Sequence, residues 1–157
     1  MNFDGFVKDI EDNNWEVHGV EVYENGILLH SYKDTTENIY EIYSATKSIL
    51  SVATGMVYDK GLIDFNEPIL KYLPASKVKN LNQKQKDIFV KISIQRLLTM
   101  GVVGLPFRPE GDNYLDFILK LDIKEPESEG FDYSNIPVYL VCVALENILG
   151  TDLGQFI

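Results

Sequence analysis

Two apolar runs on either side of Asn25-Gly26 constrain this fold more than any other feature of the sequence. Val17, Val20, Val22 and Tyr23 lead into the pair, and Ile27-Leu28-Leu29-His30-Ser31-Tyr32 leaves it. An Asn-Gly dipeptide between two such runs specifies a β-hairpin, because both turn positions need positive φ. Two strands alone are marginal in water, so a helix or further strands must cover this hairpin. Phe3, Phe6, Val7 and Ile10 fall at i, i+3, i+4 and i+7, which predicts an amphipathic helix ending near Asn13-Asn14. Residues 33 to 41 are polar and read as a loop.

Past residue 43 the periodicity is helical. From Ser44 to about Lys60, Ala45, Ile49, Val52, Ala53, Met56 and Val57 form an apolar stripe, and Gly61 is placed to end the helix. Gly61 to Pro74 reads as a turn, a short helix and a stop, and residues 75 to 87, rich in Lys, Asn and Gln, as an exposed loop. Ser93 is placed to cap a helix from Ile94 to Met100, with Ile92 and Leu97 as a hydrophobic staple. Gly101 and Gly104 bracket a turn, and Tyr114 to Leu121 forms a short helix after Asp112. A loop from Lys124 to Gly130 precedes a helix with Pro137 in its first turn and Gly150 at its end, and another helix starts at Thr151. The fold class is α/β of the α+β type. A single domain over residues 1–157 is expected, with a helix and hairpin in 1–43 and a mainly helical region in 44–157.

A chain of 157 residues buries roughly two-thirds of its unfolded surface as one domain. Eight Phe, nine Tyr and Trp15 argue against disorder. A formal net charge of −10 argues against nucleic-acid or anionic-membrane partners. Cys142 is the one cysteine, so no intramolecular disulfide can form, and its apolar helical setting reads as a buried, inert thiol. The start, Met1-Asn2-Phe3-Asp4-Gly5-Phe6, has neither the basic nor the apolar region of a signal peptide, and no run reaches membrane-span length. The expected compartment is the cytoplasm, or an extracytoplasmic one if a leader has been removed.

Ser44 and Lys47 lie three positions apart at the head of the apolar-periodic segment. On a helix that spacing brings the two side chains together, and a neutral amine beside a hydroxyl is the minimum equipment of an activated serine nucleophile. With Ser48 and Ser51 they form a polar stripe, which fits a solvated face or the wall of a cleft. The pattern alone carries little weight, since roughly one match is expected by chance in a chain of this length. A second one, Ser76 to Lys79, falls in the polar loop and reads as a decoy. Tyr-x-Asn also occurs twice. Asn25 in the first is explained by its turn, whereas Tyr133 and Asn135 in the second serve no evident turn.

In order, Tyr43-Ser44-Ala45-Thr46-Lys47-Ser48, Gly61 to Pro68 with Tyr72-Leu73-Pro74, Leu97-Leu98-Thr99-Met100 to Gly104-Leu105, Phe131-Asp132-Tyr133-Ser134-Asn135, and Glu146 to Gly150 resemble the serine β-lactamase and penicillin-binding-protein superfamily. The likeness is to its class C β-lactamase, D-alanyl-D-alanine carboxypeptidase and esterase branch, in the N-terminal portion only. It implies a helical region with a partial antiparallel sheet whose C-terminal strands are missing.

The resemblance further implies an acyl-enzyme route. Ser44 would attack a carbonyl, Lys47 would act as general base, Tyr133 would relay a proton to the leaving group, and Asn135 would bind the substrate amide and hold Lys47. No metal or organic cofactor is implied, and His18 and His30 read as structural. Two departures stand out. Gly101-Val102-Val103-Gly104 replaces the family's Thr-Ser-Gly, and no Lys-Thr-Gly-like motif follows Asn135. In the family that motif lies on a core strand beside the segment giving one oxyanion-hole donor.

The expectation is therefore a serine hydrolase acting on a small acyl substrate, a β-lactam, a D-alanyl peptide or an ester, and weak or inactive as this 157-residue chain alone. The competing expectation is a non-catalytic binding module, or a β-lactam-acylated sensor. In either case the incomplete sheet would be covered by a second copy or by the missing C-terminal half.

Overall fold

The computed structural model describes residues 2–34, 39–124, 126 and 129–157. Much of the loop expected at 33–41, and Glu125, Glu127 and Ser128 of the loop expected at 124–130, lie outside the described residues. The chain divides into two compact units, Met1–Glu41 and Ile42–Ile157.

In the first unit, helix α1 (Phe3–Asp12) is capped by Asn2, whose side chain accepts from the Gly5 N–H. Strands β1 (Gly19–Glu24) and β2 (Ile27–Lys33) form the expected hairpin. Asn25 at φ 50° and Gly26 at φ 78° make the turn, both in the left-handed region that an Asn-Gly pair tolerates. Pairing is antiparallel from Gly19 opposite Lys33 to Glu24 opposite Ile27, with an irregularity between Val22 and Tyr23 where β2 carries an extra residue. A helix supplies cover for the hairpin: Phe3 is buried and stacks on His30 with ring centroids 4.7 Å apart. His18 Nδ1 lies 2.8 Å from Asp34 Oδ2 and its ring stacks on Tyr40, so both histidines are held within this unit.

The second unit holds the main core and is built on two long helices, α2 (Thr46–Asp59) and α7 (Ile136–Leu149). Leu50, Ala53, Thr54 and Val57 are the buried residues of α2. This corrects the expected stripe: Ile49, Val52 and Met56 are 40%, 66% and 47% exposed. The helix is apolar on two faces, so hydrophobicity could not tell which one packs. Thr54 joins the buried face because its hydroxyl donates to the Leu50 carbonyl at 2.7 Å, which removes the cost of burying it. Gly61, at φ 69°, ends α2 in a Schellman motif, with the Gly61 N–H bonded to the Tyr58 carbonyl and the Leu62 N–H to the Val57 carbonyl.

The segment after Gly61 crosses to the start of α5 (Ile94–Leu98). The Ile69 N–H bonds to the Ile92 carbonyl at 2.8 Å, and the Gln95 N–H to the Phe65 carbonyl at 2.8 Å. Ser93 caps α5 as expected, accepting from the Arg96 N–H, and Ile92 and Leu97 are both buried. The helix stops at Leu98 rather than Met100, which takes φ 54°.

Residues 75–87 are not a loop. They fold as α3 (Ala75–Lys79) and most of α4 (Gln83–Phe89). Polarity misled here, because Asn82 and Gln85 form a reciprocal capping box, and Ile88 and Phe89 anchor α4 in the core. Helix α6 (Tyr114–Ile118), capped by Asn113, starts at Tyr114 as expected but ends three residues before Leu121, and α8 (Leu153–Phe156), capped by Asp152, starts two residues after Thr151. Glu146 Oε1 accepts from the Leu153 N–H, and Asn147 Nδ2 donates to the Tyr72 carbonyl, which ties the end of α7 to its surroundings. Among the described residues no helix is long and apolar enough to cross a membrane.

Candidate functional site

Ser44 does not stand on the α-helix itself. It is the middle residue of a short 3-10 turn, Tyr43–Ala45, that feeds into α2, and Lys47 lies in the first turn of α2. Tyr43 is 79% exposed and takes φ 42°, a conformation costly for an aromatic residue and one that turns the chain sharply just before Ser44. The Ser44 hydroxyl is thereby exposed at the helix entrance, and Lys47 Nζ still reaches it, at 3.2 Å from Oγ.

Tyr133 and Asn135 arrive from far along the chain. Tyr133 Oη lies 2.6 Å from Ser44 Oγ, and Asn135 Oδ1 accepts from Lys47 Nζ at 2.8 Å. The Lys47 ammonium also stands 5.1 Å from the centre of the Tyr133 ring. All four residues singled out in the sequence, Ser44, Lys47, Tyr133 and Asn135, thus meet at one place. Neither decoy gathers partners of this kind. Ser76 and Lys79 are exposed on α3, and Tyr23 turns its hydroxyl onto Glu21 while Asn25 serves the hairpin turn.

Lys47 donates to Ser44 Oγ and to Asn135 Oδ1, and either the Ser44 or the Tyr133 hydroxyl can be the donor in the bond between them. The phenol of Tyr133 is held below its ordinary value of 10.0, first by the Ser44 hydrogen bond and then by the adjacent Lys47 ammonium, against a smaller opposing effect of desolvation. Chemically, the group is a hydroxyl in contact with a phenol that ionises more readily than a free one, with the Lys47 side chain beside both. Among the described residues no grouping of His, Cys, Asp or Glu side chains is arranged to hold a metal ion. Burial and the nearby Glu146 push the Cys142 thiol above its usual value, so its thiolate is disfavoured.

Sequence reasoning singled out Tyr133 and Asn135 but not Asp132 and Ser134, the residues that hold their segment in place. Residues 131–135 run beside residues 100–107, joined by the Asp132 N–H to the Met100 carbonyl at 3.0 Å and the Asn135 N–H to the Phe107 carbonyl at 2.8 Å. Gly104, in the stretch that departs from the family pattern, takes φ 83° and donates its N–H to Asp132 Oδ2 at 2.8 Å. The alternation of Asp132 and Ser134 with Tyr133 and Asn135 was the available signal.

Comparison with known proteins agrees with this architecture. The family model described as Beta-lactamase matches residues 9–157. The fold is similar to the crystal structure of FmtA from Staphylococcus aureus, with a TM-score of 0.72 at 18% identity, over 97% of this chain and 44% of that one. It is equally similar to a class C beta lactamase from Rhodobacter sphaeroides, with a TM-score of 0.72 at 18% identity, over 95% of this chain and 44% of that one. The chain therefore spans under half the length of these structures. No curated protein matches it significantly.

Proposed function

The chain belongs to the Beta-lactamase family, and on that premise we propose that it is a serine hydrolase that works through an acyl-enzyme at Ser44. One observation carries this reading: the 2.6 Å contact of Ser44 Oγ with Tyr133 Oη, with Lys47 Nζ 3.2 Å from the same oxygen. Ser44 Oγ adds to a carbonyl carbon as its proton passes to the Tyr133 phenolate. The bond to the leaving group then breaks, and Tyr133 returns that proton to the departing nitrogen or oxygen. In hydrolysis, water adds to the ester carbonyl, gives its proton to Tyr133, and the acyl–Oγ bond breaks with the proton restored to Ser44.

Lys47 enters this scheme as a donor that holds the phenolate and fixes Asn135, and Lys47 as the base is the alternative that loss of the Tyr133 hydroxyl distinguishes. With its Oδ1 bonded to Lys47, Asn135 has its amide N–H groups left for a substrate carbonyl. Acylation of Ser44 is the step this arrangement supports. The substrate class is a β-lactam, a D-alanyl peptide or a simple ester. Incubation with a fluorescent penicillin and with a fluorophosphonate tests it: covalent labelling of the wild-type chain and none of Ser44→Ala is expected. Labelling that survives Ser44→Ala, or no labelling by either probe, refutes it.

A second reading, a binding module, is favoured by the apolar row of Ile49, Val52 and Met56 left exposed on α2. A stable monomer by size-exclusion mass, with no tendency to associate, argues against it.

A further inference from the structure

The segment that delivers Tyr133 is built as an alternation. Tyr133 and Asn135 reach Ser44 and Lys47, while Asp132 and Ser134 bond to the loop at 100–107. Ser134 is fully buried, its hydroxyl donating to the Pro106 carbonyl at 2.6 Å and accepting from the Ile136 N–H at 3.1 Å. That second bond fixes the segment to the start of α7. Asp132 takes the loop from both sides, through its own N–H to the Met100 carbonyl and through its carboxylate to the Gly104 N–H. Met100 and Gly104 are both left-handed, at φ 54° and 83°, and between them lies the turn that meets Asp132.

We infer that Asp132 and Ser134 are positioning residues, which clamp residues 131–135 to the 100–107 loop so that Tyr133 Oη is held against Ser44 Oγ. This rests on the acyl-enzyme reading of Ser44 and Tyr133. Tyr133 sits between the two anchors, so release of either lets the phenol move relative to Ser44. A displacement of about 1 Å at a reacting group costs on the order of a hundredfold in rate. Displacement also weakens the Ser44–Tyr133 hydrogen bond, the leading cause of the lowered phenol value, so the pH at which the phenolate forms rises with it.

The experiment measures the rate of fluorophosphonate labelling against pH for the wild-type chain, Ser134→Ala, Asp132→Ala and Asp132→Asn, with Ser44→Ala as the background. Ser93→Ala is the structural reference, since it removes a helix cap elsewhere in the same unit. Ser134→Ala and Asp132→Ala are expected to slow labelling by roughly tenfold to a hundredfold and to move the ascending limb up toward the free-phenol value of 10.0. Asp132→Asn keeps an oxygen to accept the Gly104 N–H and is expected to restore both. The position of the limb does not depend on how much of the sample is folded, so a destabilised variant still reports. Slower labelling with the limb unmoved, as expected of Ser93→Ala, overturns the clamp and leaves the acyl-enzyme reading intact. Labelling that is independent of Ser44 overturns that reading and the clamp with it.

Discussion

Tyr133→Phe removes one oxygen atom and leaves the ring in place. That oxygen lies 2.6 Å from Ser44 Oγ, and in the proposed mechanism it accepts the Ser44 proton. Tyr133 is 42% exposed, so the lost hydrogen bond is one that water replaces, and the thermal midpoint is expected to stay within a degree or two of wild type. The rate of Ser44 labelling, in contrast, is expected to fall by about a hundredfold to ten-thousandfold, the usual span for loss of a positioned proton acceptor. The assay is a time course of labelling with an aryl ester or fluorophosphonate probe, read by mass at the Ser44 peptide, with a thermal melt on the same sample. A Tyr133→Phe rate within about threefold of wild type, with Ser44→Ala silent, refutes the assignment of Tyr133 as proton acceptor and returns that role to Lys47.

Four further outcomes follow from the same geometry. In the proposed mechanism the Tyr133 phenolate takes the Ser44 proton, and its formation is favoured by the Ser44 hydrogen bond and then by Lys47, so the labelling rate is expected to rise with pH through a limb lying below 10.0 and then level off. Lys47→Met removes the cation and is expected to carry the limb upward, whereas a downward or unchanged limb contradicts the proposed role. Leu145→Ala, at a fully buried site on α7, is expected to cost about 3 kcal/mol in denaturant unfolding, and a cost under about 1 kcal/mol shows that the core around α7 is looser than described. Gly150→Ala places a Cβ where no atom lies within 4 Å, yet at φ 67°, so a loss of about 1 kcal/mol is expected from backbone strain alone.

Local chemistry makes much of this chain legible from its sequence. The Asn25-Gly26 hairpin, the Ser93 cap, Pro137 at the start of α7 and Gly150 at its end each depend on a few adjacent residues, and each stands where the sequence placed it. The same held for the reach between Ser44 and Lys47, because three positions along a helix entrance fix it. Where polarity was the guide, the reading failed: residues 75–87 carry the composition of a loop, but the Asn82–Gln85 capping box and the buried Ile88 and Phe89 make a helix there. Composition averages over a window, whereas a cap acts through two named side chains.

What the sequence by itself determined, then, is the set of turns, caps and short-range pairs that depend on neighbours. Only the tertiary structure decided which face of α2 is buried, because both faces are apolar and the choice of Leu50, Ala53, Thr54 and Val57 is made by what packs on them. Only the tertiary structure brought Tyr133 to Ser44 across 89 positions of chain, through a loop held by Asp132 and Ser134. The physical reason is the same in both cases: contacts between residues distant in sequence depend on the packing of every element between them, and no local pattern records that sum.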